Sequence, residues 1–389
     1  MLRSLSERLS VPVASASAVL AARSARVVDL RSPAEFAQDH LPGARNVPLF
    51  DDLERALIGT LYVRRSPEEA FAEGRARTRA KIRALTRDLA REAGRPASEE
   101  ELEGRVDELT AGGLRSLEAS LVLEPQILVP DGAFVLHCWR GGLRSRSVVA
   151  FLRRLGWSDV LALEGGYRSY RRLVRERIEG WKAPPCFVLR GWTGVGKTLV
   201  LREIEGLRPG WTLDLEALAG HRSSILGMVG LEPCTQKTFE SRLAARLGDG
   251  FPAVCVLEGE SRRVGEVLLP GPVWDALDGG TNLELVAPTE RRVAVLIEDY
   301  LARETNRSEL ARQLPFIEER LGRAAWQGKL VEQLETGREA DLVRVLLERY
   351  YDPLYAHSER GRRYSARFEA SDPARAAAEI VGWIEGGRS

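Results

Sequence analysis

Cysteine is scarce. Cys138, Cys186, Cys234 and Cys255 are the only four in 389 residues, with no C-x-x-C pair and no His/Cys cluster at zinc spacing. That pattern excludes a disulfide-stapled scaffold and a zinc ribbon, and four free thiols fit a reducing cytoplasm. Charge of one sign is also lacking. The net value is +1, so no whole-molecule field argues for nucleic acid, and only local arginine clusters are left to do so. No uninterrupted apolar run approaches the ~18 residues that span a membrane. Arg3, Glu7 and Arg8 leave the first residues without the apolar core of a signal peptide. There is no internal repeat and no low-complexity segment. What is present is 44% hydrophobic and 29% charged, the balance of an ordinary globular protein, long enough for two or three domains.

Along the chain, short apolar strands alternate with helices, which implies α/β layers on parallel sheets. Val11–Val13, Arg26–Leu30, Ala133–His137 and Val160–Leu163 read as strands. Ala16–Ala22, a segment opening at Ser32-Pro33, Ser145–Leu155 and Tyr167–Ile178 read as helices. Between them, residues 67–121, or about 60–125 at the widest, are rich in Glu, Arg, Ala and Leu and read as a mostly solvated helical insertion. Gly180-Trp-Lys-Ala-Pro-Pro185 is the best linker. It divides the chain into domains at 1–180 and 181–389. After it Cys186–Leu189, Ala253–Leu257 and Leu283–Val286 read as strands and Lys197–Ile204 as a helix, with 290–389 mainly helical.

Strand 133–137 delivers Cys138 into the loop Trp139, Arg140, Gly141, Gly142, Leu143, Arg144, with a helix close behind. Two glycines let backbone N–H groups approach the sulfur, and the helix presents its positive end. Both effects favour the thiolate, which is the nucleophile. Arg140 and Arg144 would receive an anionic group. Cys138 is expected on an exposed loop, ready to react. Cys186, Cys234 and Cys255 sit in or beside apolar stretches and read as inert.

Gly191, Trp192, Thr193, Gly194, Val195, Gly196, Lys197 and Thr198 satisfy G-x-x-x-x-G-K-[ST], after a strand and before a helix. Only five of the 57 basic residues are lysine, so a chance match is rare. The glycines would let N–H groups converge on phosphate oxygens, Lys197 would neutralise the outer phosphates, and Thr198 would ligate Mg²⁺. The strand ending in Glu258-Gly-Glu260 is the candidate Walker B element, although it has no Asp. The residues leave open whether the ligand is ATP or another diphosphate; no cofactor or metal is firmly implied, and Mg²⁺ is one that this loop could bind.

Two stretches, Val27-Val-Asp-Leu-Arg-Ser-Pro-Ala-Glu-Phe36 with His40-Leu-Pro-Gly-Ala-Arg-Asn-Val-Pro48, and Gly156–Gly166, resemble rhodanese domains. Asp39 stands where many such domains have Gly, a departure expected to leave the active loop untouched. Cys138–Ser145, Leu163–Tyr170, Gly191–Thr198, Asp214–Arg222 and Glu258–Arg263 together resemble the tRNA 2-selenouridine synthase family. That family usually has Asp at Gly259 and Gly at Ser223. The resemblance implies a rhodanese-like domain with a helical insertion, followed by a P-loop NTPase-like domain with a parallel sheet. It also implies a transferase that exchanges sulfur for selenium in wobble 2-thiouridine of tRNA. Selenophosphate is the selenium donor, and geranyl diphosphate forms an S-geranyl intermediate.

On that reading the P-loop cradles the prenyl diphosphate and Cys138 serves the selenium step. Arg140, Arg144, Arg146, Arg153, Arg154, Arg168, Arg171, Arg172, Arg175 and Arg177 would offer phosphate contacts, while Trp139 and Tyr167 would stack on an extruded base. The runner-up is a sulfur carrier whose Cys138 persulfide feeds an ATP-dependent domain; a third reading, a non-enzymatic nucleotide-gated switch, is disfavoured by the intact Cys138 in its thiolate-stabilising loop.

Overall fold

Short apolar runs bounded by Gly, Pro and Asp set the strands. The computed structural model describes residues 8–96, 101–224, 226–301, 304–358 and 361–387. The chain divides into two units, Met1–Glu176 and Arg177–Ser389. In the first, β1 (Leu9–Ala14), β2 (Arg26–Asp29), β3 (Arg45–Asn46), β4 (Leu121–Gln126), β5 (Phe134–His137) and β6 (Val160–Leu163) form a parallel sheet in the order β3-β2-β5-β6-β1-β4. β5 and β6 are buried along their whole length, as befits parallel strands covered on both faces. Asp29 pairs with His137 in register, so the loops leaving β2 and β5 start side by side at the carboxyl edge, where α/β sheets place their ligands.

Caps fix the helices between the strands. Pro33 opens the helix Pro33–Gln38, and the Glu35 carboxylate accepts from the Ser32 N–H at 3.4 Å. Asp51 and Glu54 cap each other's N–H groups at 2.8 and 3.0 Å at the start of helix Asp52–Arg64. Helix Pro67–Ala93 starts on Ser66 and stops at Gly94, whose φ of +66° continues no helix.

The insertion differs from its sequence reading in two ways. It is not mostly solvated: Ile82, Leu85 and Leu89 of helix Pro67–Ala93, Val106 of helix Leu102–Thr110 and Leu117 of helix Gly113–Ser120 join one core with Val11, Val28, Phe134 and Val149. The 82, 85, 89 spacing puts those three on one face, a stripe that the many charges between them obscure. It also ends earlier than 125. Residues 121–126 are β4, paired with β1 from Leu9↔Leu121 to Ala14↔Gln126. Pro125 inside that run argues against a central strand and allows the edge position that β4 takes.

In the second unit β7 (Cys186–Arg190), β8 (Thr212–Leu213) and β9 (Cys255–Glu258) precede a two-stranded antiparallel ribbon of β10 (Arg263–Val264) and β11 (Val267–Leu268). With β12 (Thr281–Val286) and β13 (Ala366–Glu369) the main strands form a parallel sheet ordered β13-β12-β7-β9-β8. β13 interrupts the expected helical run 290–389. Its exposed residues alternate around buried Phe368, too short a pattern to separate from its helical surroundings. Helices between Thr289 and Ser358 gather a separate core around Leu310, Leu314, Ile317, Leu330 and Tyr351. Among the described residues no helix is long and apolar enough to cross a membrane.

Candidate functional site

β5 ends at His137 and the chain turns at once. Gly141 takes φ +60°, and Gly142 precedes helix Leu143–Arg154. Gly141 faces Gly166 so closely that a Cβ on Gly166 would lie 2.3 Å from the Gly141 nitrogen and 2.4 Å from the Cys138 carbonyl oxygen. Tyr167 N–H donates to the Cys138 carbonyl and Arg168 N–H to that of Trp139, both at 2.9 Å. Backbone contacts thus clamp the cysteine loop to the Gly165-Gly166 turn.

Cys138 is not exposed as expected. It is 2% accessible, with Sγ 3.3 Å from Ser145 Oγ in the first turn of the following helix. The tight glycine contacts fold the loop around the sulfur, which lies in the wall of a cleft of about 910 Å³. Arg140 and Arg144 of the loop line the same cleft.

Two of the residues assigned to RNA have other work. Tyr167 is 1% accessible, donates its hydroxyl to Asp39 Oδ2 at 2.7 Å and lies under the Arg31 guanidinium, 3.7 Å from its ring centre. No base can stack on it. Burial, and then the Asp39 charge, pushes its phenol far above the usual range. Arg171 pairs with Asp39 at 3.3 Å and is also largely buried. Trp139 remains half-buried and packs against Tyr167 at 5.3 Å between centroids. Asp39 therefore does bear on the active loop: it anchors Tyr167, whose own N–H holds the Cys138 carbonyl.

In the second unit β7 runs into the glycine-rich loop and helix Lys197–Leu207 follows. Gly191, Gly194 and Gly196 take φ of +147°, +78° and +89°, values that favour glycine. A Cβ on Gly191 would also meet the Leu285 carbonyl oxygen at 2.5 Å, and one on Gly194 the Arg292 carbonyl oxygen at 2.8 Å. Lys197 Nζ crosses the loop to the Gly191 carbonyl at 3.2 Å. Trp192 is exposed, whereas Val195 is buried beneath the loop. Arg292, which sequence reasoning missed, braces this turn: its Nε donates to the Thr193 carbonyl at 2.9 Å while its guanidinium pairs with Asp352.

Thr198 Oγ1 lies 3.2 Å from Glu258 Oε2 and 3.5 Å from Glu216 Oε2. Carboxylate oxygens of Glu216, Glu258 and Glu260 all fall within 4.8 Å of one another. Glu216 is the second residue missed; it sits one position after the start of helix Leu215–Ala219, inside the Asp214–Arg222 stretch. Glu258 Oε1 is buried with no hydrogen-bond partner among the described residues. Three hard oxygen donors beside the P-loop hydroxyl fit Mg²⁺. Of the two family departures, Ser223 keeps its backbone role, donating its N–H to Glu216 Oε1 at 3.2 Å. At Gly259 a Cβ would lie 2.3 Å from Arg190 Cδ, so an aspartate there would require Arg190 to move.

Burial and then the Glu260 charge push the Glu216 carboxyl up to about 7. Burial pushes Glu258 and Glu260 up as well, Glu258 further raised by Glu216. Such groups ionise more readily unfolded than folded, so they cost stability as pH rises from about 4.5 towards 7. The cation-free protein is expected to melt at a lower temperature at pH 8 than at pH 5.5. Mg²⁺, which binds the ionised form, should raise melting more at pH 8. Melting curves in EDTA and in Mg²⁺ at both pH values check this, and an equal Mg²⁺ gain at both would exclude a carboxylate site.

A family model described as the tRNA 2-selenouridine synthase AAA domain matches residues 184–381, and one for the rhodanese-like domain matches residues 13–83. The latter match ends before Cys138. The first unit is thus rhodanese-like and the second carries the P-loop-like AAA domain. A protein of Cupriavidus pinatubonensis named tRNA 2-selenouridine synthase is 30% identical over 366 residues, 86% of this chain and 89% of that one. Proteins of the same name from Chromohalobacter salexigens and Pseudomonas syringae pv. syringae are 28% and 30% identical, covering 87% and 85% of this chain and 90% and 87% of theirs.

Proposed function

The chain belongs to the tRNA 2-selenouridine synthase family, and from that premise we propose that it replaces sulfur by selenium at position 2 of wobble 2-thiouridine, in two steps at two sites. In the first step the thiocarbonyl sulfur attacks C1 of geranyl diphosphate. The carbon–oxygen bond breaks, diphosphate leaves and N3 gives up its proton. Backbone N–H groups of Gly191–Lys197 and the Lys197 ammonium would hold the diphosphate, and Thr198, Glu216, Glu258 and Glu260 would hold Mg²⁺. When bound, that ion neutralises charge on the leaving diphosphate.

In the second step the selenium of selenophosphate adds at C2, the C2–S bond breaks and geranyl thiolate departs with a proton; water then cleaves the P–Se bond, releasing phosphate and leaving the selenocarbonyl. An S-alkyl group leaves far more easily than sulfide, so two accessible steps replace one difficult one. Cys138 serves this step, with Arg140 and Arg144 receiving the anionic donor. The reaction makes the enzyme a transferase of the cytoplasm, where tRNA and both small substrates meet.

The observation that carries the reading is the pairing, in one chain, of a backbone-clamped thiol in a cleft wall with a P-loop lacking Walker B aspartate but ringed by glutamates. Incubating thiolated tRNA with selenophosphate and geranyl diphosphate, then analysing nucleosides by mass spectrometry, tests it. Selenouridine formation that needs both small molecules is expected; formation unaffected by omitting geranyl diphosphate would remove the first step.

A further inference from the structure

The cleft beside Cys138 is larger and more apolar than a chalcogen anion requires. Its volume of about 910 Å³ lies within the range of small-molecule sites, about 300–1,000 Å³. The helical insertion supplies most of the wall, through Phe71, Leu109 and Leu117, with Phe50, Ile58 of helix Asp52–Arg64 and Val148 completing it. Tyr62 and Val63, on a helix that buries no residue of its own, carry the apolar lining outward to solvent at 62% and 82% exposure. Cys138 is part of the wall, and Arg140 and Arg144 give the same space a cationic margin. Apolar chamber, nucleophilic sulfur and cationic margin together describe a receptor for an amphiphile: an oily chain joined to an anionic head at the reacting atom.

Resting on the function proposed above, we propose that this cleft holds the acyclic isoprenoid chain of the S-alkylated thiouridine during selenium exchange. The insertion then acts as a specificity element for the departing group. It seats the chain so that the C2–S bond lies beside Cys138, and it keeps the departing isoprenoid thiol out of water. A chain of this kind is branched and flexible and has no hydrogen-bonding group. That matches walls of Ile, Leu and Phe and needs no polar partner from them.

Thr78 offers the test. It lines the cleft, and among the described residues its hydroxyl bonds the Gly74 carbonyl of its own helix alone, at 2.8 Å. Thr78→Trp fills the space, whereas Thr78→Val keeps the shape. The probes are tRNAs bearing S-geranyl- or S-methyl-2-thiouridine at the wobble position, each supplied with selenophosphate.

Wild type and Thr78→Val should convert the geranyl substrate with a kcat/KM at least about 10-fold above the methyl one. Thr78→Trp should lose that preference by losing geranyl activity while retaining methyl activity. Equal wild-type rates on the two tRNAs would overturn the inference without any variant, as would a preference that Thr78→Trp leaves intact. Wild type that converts no S-geranyl tRNA at all would instead overturn the two-step reading on which the inference rests.

Discussion

Replacing Cys138 by alanine is expected to abolish selenium incorporation, by about 10³-fold or more, while S-geranyl-2-thiouridine accumulates. Among the described residues the sulfur is the one thiol in the cleft wall, and no neighbouring thiol stands in: Cys186, Cys234 and Cys255 belong to the other unit. The loop around it is held by the close approach of Gly141 and Gly166, by the Tyr167 N–H and by packing of Trp139 on Tyr167, none of which involves Sγ. Losing Sγ therefore costs little beyond its contact with Ser145 Oγ, and the variant should melt within a few degrees of wild type, as for a loss of about 1 kcal/mol. Nucleosides of tRNA from cells lacking the native gene, complemented by each form, give the answer. Normal selenouridine from the alanine form would remove Cys138 from the chemistry. Loss of geranylation in a folded variant would show instead that the two sites do not work separately.

Lys197→Ala should fail at the other step. Its ammonium is the one side-chain cation inside the loop sequence Gly191–Thr198, and without it the loop itself offers the outer phosphate only backbone dipoles, beside whatever charge Mg²⁺ neutralises. A charge-assisted contact of about 1.5–3 kcal/mol corresponds to roughly ten- to hundred-fold in affinity for geranyl diphosphate. Geranylation should stop at low donor concentration, and supplying already geranylated tRNA should restore selenouridine. Calorimetry with geranyl diphosphate and with ATP on both proteins measures the first part; little ATP hydrolysis by wild type is expected, since Glu258 stands where Walker B elements have aspartate. Tight ATP binding through Lys197 with turnover, uncontested by geranyl diphosphate, would favour a sulfur carrier coupled to ATP.

Both loops were legible because each is a local device: a strand, two or three glycines at set spacing, then a helix. The same locality made the α/β layering readable from β2, β5, β6 and β7. What was not legible depends on partners distant in sequence. β4 carries Pro125 and becomes a strand only by lying along β1; β13 is four residues in a helical neighbourhood. Glu216 acquires a role only when β8 and β9 bring it to Glu258. Tyr167 and Arg171 looked available for RNA because exposed and buried arginines share one alphabet, and only the fold reveals Asp39 between them. The cleft is a property of helices packed against the cysteine loop, and no single segment of sequence encodes it.

β1 meets the sheet through two distant partners, β4 from residue 121 and β6 from residue 160. On a ribosome adding about 5–20 residues per second, β1 emerges on the order of ten seconds before any strand that will pair with it. During that interval Val11 and Val13 present an apolar ribbon with open edges, the kind that recruits other nascent chains. Pro12 stands between them and is buried in the finished sheet. It has no N–H to lend to a wrong partner. A nascent β1 thus offers a passing strand one donor fewer than any other residue at position 12 would give it.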